Sequence, residues 1–237
     1  MIRWLTRIFY GLVALLLIIF ILLVTPAGFD LSLKILKKSL PGKLSYDNSV
    51  WYIDWSNFQT SVTYFGVTTD GNAKDGITAY GFDSSLKYQP NQELSLNLGI
   101  AYSNSTLNSN EPGLFGLEGA RVPRIPKWTV SGNMIYNYSL FADWDSWLSV
   151  GVSYVGSSPS AFVNGADDIT QYNLDSDAYA LVDASTAFEL DGILISLYIN
   201  NVLANDAYTN YQANDTVGVI GVPLSPRTVG ISLTYSF

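Results

Sequence analysis

From Ser49 to the C-terminus the chain alternates apolar and polar residues with period two. The clearest case is the end, where Val229, Ile231, Leu233, Tyr235 and Phe237 interleave with Thr228, Gly230, Ser232, Thr234 and Ser236. Successive side chains of an extended chain point to opposite faces, so this pattern predicts a strand with one apolar and one polar face. Residues 94–103 repeat it, with Leu94, Leu96, Leu98, Ile100 and Tyr102 against Ser95, Asn97, Gly99, Ala101 and Ser103. Stretches at 128–138, 147–154 and 193–200 do the same, and less regular ones cover 49–63, 74–89 and 178–190. The expected architecture is all-β, an antiparallel segment of about eight strands. Short turns are predicted at 90–92, 141–145 and 191–192, alternating with long connections at 104–126, 157–177 and 204–226.

The front of the chain follows a different period. Ile8–Val24, IFYGLVALLLIIFILLV, carries no charge and would make a helix of about 26 Å, near the lower limit for a membrane span. Arg3 and Arg7 precede it. An uncleaved anchor fits it better than a signal peptide, because the apolar run exceeds the roughly 7–15 residues of such leaders and Thr25-Pro26-Ala27 is a poor cleavage site. In residues 29–40, Leu33, Leu36 and Leu40 recur at helical spacing beside Lys34, Lys37 and Lys38, and Pro41-Gly42 ends the pattern. That stretch reads equally as an amphipathic surface helix or a basic linker. The expected division is therefore 1–48, hydrophobic helix plus basic linker, and 49–237, β-rich body.

Charge sharpens this division. Residues 1–48 hold six basic and two acidic residues, and the remainder holds six basic and 18 acidic, a net −12. An acidic body is a poor partner for phosphate, so nucleic acid is not expected. Charged residues make up 14% of the chain, well under the roughly 25% of soluble domains. Aromatics also make up 14%, with 16 Tyr and 6 Trp. Few charges, many aromatics recurring near strand ends, and runs of about ten residues suit a transmembrane β-barrel wall better than a soluble sandwich. Outer-membrane barrels have short periplasmic turns and long outer loops. Counting back from Phe237 at the periplasmic end, every connection obeys that rule.

The candidate chemistry is sparse. With neither Cys nor His, the chain has no thiol nucleophile, imidazole base, Cys/His zinc site or disulfide. Asp167, Asp168, Asp175 and Asp177 share one loop and supply oxygens of the kind Ca²⁺ takes, but lack EF-hand spacing, so a solvated acidic loop is the better reading. Asp54, Asp83, Asp183 and Glu189 are expected to line the inward face, with no activated nucleophile beside them. No enzyme activity, cofactor or metal is expected. Tyr172, Tyr179, Tyr208 and Tyr211, in or beside outer loops, are the candidate ligand-facing residues, with interfacial anchoring as the plainer role.

Several segments, in order, resemble the C-terminal part of TonB-dependent outer-membrane receptors: VWYIDWSNFQT (50–60), GFDSSLKYQPNQELSLNLGIAYSNS (81–105), RVPRIPKW (121–128), SYVGSS (153–158), LYINNVLANDAY (197–208) and PRTVGISLTYSF (226–237). The resemblance implies a barrel wall in the outer membrane of a Gram-negative cell, related to uptake of siderophores or similar ligands. It also implies that the closing residues Leu233, Tyr235 and Phe237 form the signal read by the barrel assembly machinery. No segment resembles the family's plug or TonB box, so the fold carries over but coupling to TonB is not expected. Separately, TPAGFDLSLKILKKSLPGKLSYDN (25–48) resembles the start of TamB-type translocation and assembly proteins. That offers the alternative of a non-enzymatic, inner-membrane-anchored assembly protein held by residues 8–24. A soluble lectin-like or lipid-binding β protein is a third reading.

Two physical tensions follow. The inward residues are mostly small, among them Ser95, Gly99, Ala101, Ser149, Gly151, Gly230 and Ser232, and would fill a closed eight-stranded barrel poorly. A segment of a wider barrel is expected, with a compact eight-stranded barrel as the alternative. Residues 25–48 reach about 85 Å at full extension, short for joining an inner-membrane anchor to an outer-membrane barrel. A truncated and fused chain, with its junction near Tyr46–Ser49, is therefore expected.

Overall fold

The computed structural model describes residues 34–35, 38–64, 67–139, 144–162, 174–214 and 218–236. Twelve strands follow in chain order: β1 (Lys43–Trp55), β2 (Phe58–Tyr64), β3 (Val67–Ala73), β4 (Ile77–Gln89), β5 (Leu94–Leu107), β6 (Trp128–Tyr138), β7 (Asp145–Val155), β8 (Tyr179–Leu190), β9 (Ile193–Asn200), β10 (Tyr208–Asn214), β11 (Gly218–Pro223) and β12 (Thr228–Tyr235). Eight of them form one antiparallel sheet in the order β1-β4-β5-β6-β7-β8-β9-β12. The other four make two separate hairpins, β2–β3 and β10–β11. The predicted hydrophobic helix lies outside the described residues. Among those residues no helix is long and apolar enough to cross a membrane, which says nothing of crossing by strands.

The period-two reading of the wall holds in register. Leu98 pairs with Leu86 and Gly132, and Gly132 with Val152, so the apolar positions of β4 to β7 share one face. Asp83 pairs with Ala101, Ala101 with Thr129, and Thr129 with Val155 on the other face. In β12, Val229, Ile231 and Leu233 share the apolar face with Ile199, Leu197 and Ile195 of β9. On that face Phe82, Tyr102 and Trp128 stack at one level, with centroids 4.8–6.0 Å apart. Tyr136, Tyr138 and Phe188 form a second cluster further along the strands. Two aromatic belts bounding an aliphatic band match the girdles of a membrane-spanning wall. Within the band the outward polar pair Asn48 and Ser84 satisfy each other, the Ser84 hydroxyl donating to Asn48 at 2.6 Å.

The turns at one end are short and chemically specified. Asp191 and Gly192 both have positive φ, 49° and 80°, as a two-residue type I′ hairpin requires. At 90–93 the Asn91 side chain accepts hydrogen bonds from the backbone N–H groups of Glu93 and Leu94. Gly42, at φ 84°, lies where a Cβ would strike the backbone of Gln89 and Pro90, so the Pro41-Gly42 breaker delivers the chain into β1. Most of the predicted 141–145 turn lies outside the described residues.

Three expectations are corrected. The continuous strand expected at 49–63 is broken between Trp55 and Phe58, whereas the one expected at 74–89 forms a single strand from Ile77, and the β2–β3 hairpin stands between the two wall strands β1 and β4. The wall strand β1 begins at Lys43, taking in Lys43–Asn48 from the stretch read as linker. Asp54, expected inward, pairs with Thr78 and shares the outward face with Val50, Tyr52 and Tyr80. The segment VWYIDW is apolar on both faces, so its own pattern does not define its side; the pairing with β4 does.

Candidate functional site

The polar face of the sheet forms an open trough of about 460 Å³, with Asp47, Ser49, Asp83, Ser85, Gly99, Ala101, Thr129, Ser131, Ser153 and Val155 along its wall. These are consecutive register neighbours across five strands, so the trough is a direct product of alternation with small side chains. A Cβ on Gly99 would lie 2.7 Å from the Ser131 hydroxyl, whereas at Gly151 it would meet nothing within 4 Å. Asp83 is held in place: the Trp51 indole N–H donates to its Oδ2 at 2.9 Å. Gly81 makes this possible, because a Cβ there would come within 2.6 Å of the Trp51 ring. Asp183 also faces the trough side and accepts the backbone N–H of Asn201 at 2.7 Å. Glu189 lies on the same face, opposite Asp145.

At the long-loop end the connections pack on one another rather than extending freely. Ala73, Ile77, Leu107, Leu114, Val122 and Phe162 form a buried cluster, with Phe58, Ala120 and Ile125 against it. Leu114, on a 3-10 turn at Pro112–Leu114, is 1% exposed and occupies the space that a Cβ on Gly71 would need. The buried Glu111 carboxylate accepts the Asp75 backbone N–H and the Ser109 hydroxyl. The Arg121 guanidinium donates to the carbonyls of Ile125 and Ser157, both at 3.3 Å, joining two connections. Asn201, 3% exposed, ties a third: its amide donates to the carbonyls of Asn205 and Ser225, and its Oδ1 accepts the Asn205 backbone N–H. Sequence reasoning missed this loop core. The one available signal was the Asn-rich run at 200–205, since buried Asn in a loop usually clamps backbone.

Of the four tyrosines singled out, the structure brings two together. Tyr208 and Tyr211 lie on the β10–β11 hairpin with ring centroids 5.4 Å apart at 31°. Their odd spacing should put them on opposite faces, but a register shift between Tyr208 and Asn210 reverses the alternation. The Tyr208 ring lies where a Cβ on Gly221 would intrude. Asp177 joins them: its carboxylate accepts the Tyr208 backbone N–H at 2.9 Å, and its own N–H donates to the Tyr208 carbonyl at 3.0 Å. The Tyr211 phenol is pushed above its ordinary pKa, first by partial burial, then by the neighbouring Asp177 charge, Tyr208, and a hydrogen bond to Asp177. Tyr179 starts β8, paired with Val155, two residues beyond Asp177. Tyr172, Asp167, Asp168 and the terminal Phe237 lie outside the described residues. Leu233 and Tyr235 sit on the outward face of β12, 70% and 63% exposed.

This rim offers aromatic faces, one carboxylate and hydroxyl groups, a set fit to hold a ligand by stacking and hydrogen bonding. Among the described residues no group of three or more acidic side chains is placed to hold a metal ion.

Residues 28–202 match the sequence family described as TonB dependent receptor-like, beta-barrel. The match begins at residue 28, and so takes in most of the stretch 25–48 expected to follow a TamB-type pattern. No curated protein sequence matches the chain. Among solved structures it is similar to the ferric yersiniabactin uptake receptor FyuA from Yersinia pestis, with TM-score 0.64 and 18% identity over 82% of this chain and 28% of that one. It is also similar to the ferric citrate transporter FecA, at TM-score 0.62 and 15% identity over 83% of this chain and 29% of that one. The copper transporter OprC gives 0.59 and 16%, over 83% of this chain and 29% of that one. The chain thus spans less than a third of the length of these proteins, and at such identities the likeness is one of fold. The family match covers well over half of the chain and takes in seven of the eight strands of the antiparallel wall, so the chain belongs to the TonB-dependent receptor-like β-barrel family.

Proposed function

We propose that this chain is a wall segment of an outer-membrane receptor barrel and contributes to uptake of a siderophore-like or metal-chelate ligand. The observation that carries this is the segregation, in unbroken register from β4 to β7, of an apolar outward face from a polar trough of small side chains. Such a wall has its hydrophobic surface satisfied only by lipid and its other face only by water or polypeptide. The names of the similar structures, receptors for ferric chelates and copper, supply the ligand class. Tyr208 and Tyr211, buttressed by Asp177, are the contacts proposed for it, with Tyr179 beside them. Leu233, Tyr235 and Phe237 are proposed as the signal for barrel assembly. Residues 1–42, ahead of β1, are proposed to be a membrane-directed lead, with the outer membrane as the destination of the whole.

The test is fractionation followed by binding. The protein should resist urea extraction from outer membranes and change gel mobility on heating. Ferric citrate or a ferric catecholate should then quench tryptophan fluorescence, and Tyr208→Ala with Tyr211→Ala should weaken that binding at least tenfold. Recovery in the soluble periplasm would refute the membrane wall. Binding indifferent to both substitutions would refute the rim as the contact.

A further inference from the structure

We propose that the rim formed by Tyr208, Tyr211 and Asp177 selects metal chelates that carry an exposed alkylammonium group over the same chelates without one. The proposal rests on the reading of these residues as the ligand contact, and it names the chemical class that contact prefers.

The hydrogen-bond donors nearest Asp177 are committed within the protein. The Tyr208 backbone N–H donates to Asp177 Oδ2 at 2.9 Å, and the Asp177 N–H donates to the Tyr208 carbonyl at 3.0 Å. The Tyr211 phenol spends its proton on the same carboxylate. The Ala207 N–H is taken by the Asn205 side chain at 3.0 Å, and the Thr209 hydroxyl donates to the Val222 carbonyl at 3.1 Å. Acceptors are what remain on offer. An ionised carboxylate accepts at about four positions, more than these protein donors fill, and a phenol that donates its proton keeps its oxygen lone pairs. The Tyr208 hydroxyl can turn to accept as readily as to donate. Asp177 is exposed and Tyr208 is 41% exposed, so carboxylate and ring are open to a ligand. An alkylammonium is all donor and no acceptor, the complement of this set. Aromatic faces attract it as well, through their quadrupole. An anionic chelate reaches the same rings but meets a carboxylate with nothing to donate to it.

Charge around the rim acts in the same sense. From Trp128 to Phe237 the chain carries 11 acidic residues and one basic residue, Arg227. A surface of one sign raises the local concentration of a cationic ligand and lowers that of an anionic one. The geometry is also set before a ligand arrives. On one side Ser176, 6% exposed, donates its N–H to the Ser158 carbonyl at 2.8 Å and accepts the Ser158 N–H on its hydroxyl at 3.0 Å, which fixes the chain entering Asp177. On the other side Asn205 takes the Ala207 N–H while its own N–H donates to the Asn201 side chain, which fixes the chain entering Tyr208. A carboxylate held from both sides loses little freedom when a ligand binds.

Desferrioxamine B supplies the comparison, since its ferric trihydroxamate carries a free terminal amine that acetylation neutralises without touching the metal centre. Binding of the two ferric chelates to the full chain assembled in membranes is followed by tryptophan quenching at low ionic strength. The amine form should bind more tightly by roughly five- to thirtyfold, the combined size of an exposed ion pair and a cation–π contact. The ratio should shrink as salt is raised. Asp177→Asn, which keeps an oxygen for the Tyr208 N–H, should abolish the difference. Tyr211→Phe, which keeps the ring and leaves the carboxylate in place, should preserve it. The salt series uses the unsubstituted protein, so it stands whether or not either variant assembles, and a ratio unmoved by salt would overturn the proposal. Equal affinity for the two chelates, with Tyr208→Ala and Tyr211→Ala weakening both, would leave the rim as the contact and overturn the preference. A difference that survives Asp177→Asn would overturn its assignment to this carboxylate. Binding of neither chelate by urea-resistant, membrane-assembled protein would refute the rim as the contact, and the preference with it.

Discussion

The orientation of the wall predicts how two neighbouring residues on β7 will tolerate arginine. Val152 faces outward, paired with Gly132 and Val182, and Ser153 faces the trough, paired with Ser131 and Leu181. On the neighbouring strand the aromatic belts lie at Trp128 and Tyr136. That separation of about 27 Å along the strand projects to roughly 20 Å at a 40° tilt, close to the apolar band of an outer-membrane barrel. Val152, level with Gly132, lies midway between the belts. Val152→Arg therefore puts a guanidinium near the bilayer centre, at a cost of about 2–4 kcal/mol. At one decade per 1.4 kcal/mol this is roughly a 30- to 1,000-fold shift in the folding equilibrium. Ser153→Arg puts the same group into the open trough, where it keeps its water and whose wall also carries Asp83 and Asp47. That substitution should cost no more than about 1 kcal/mol. Urea unfolding in liposomes, followed by tryptophan fluorescence and heat-modifiable mobility, measures the difference directly. Equal tolerance of both variants, or greater loss at Ser153, would refute the assignment of faces.

The same logic at the closing strand predicts lower outer-membrane yield for Leu233→Arg than for Ser232→Arg, read from assembled protein on gels. Leu114→Ala, which empties the centre of the loop cluster, should cost about 2–5 kcal/mol of local stability, visible as faster protease cleavage at 56–76 and 108–127 while the sheet stays protected. Asn201→Ala leaves the carbonyls of Asn205 and Ser225 without the Asn201 amide as donor, a loss of about 1–3 kcal/mol per buried group, seen as faster amide exchange at 201–207 and 225. Asp177→Asn removes the negative charge that opposes ionisation of Tyr211. Its phenol should then titrate at lower pH than in the unsubstituted protein, as followed by phenolate absorbance against a Tyr211→Phe background.

What the sequence alone determined was everything that depends on local periodicity. Alternation with period two is a property of the extended backbone, so Leu94–Tyr102 and Val229–Tyr235 declare their outward residues without reference to any partner. Asp191-Gly192 declares its turn, because few residue pairs accept positive φ twice in succession. The long and short connections declare which end of the wall is which. Tertiary structure decided whatever needed a partner. Asp54 faces outward because β1 takes its side from its ladder with β4, its own segment being apolar on both faces. Tyr208 and Tyr211 meet because a bulge inserts one residue into their spacing, and a bulge is a relation between two strands. Leu107, Leu114 and Phe162 come from three separate parts of the chain and share a core only once β4 and β5 have paired, a long-range event that no window of sequence contains.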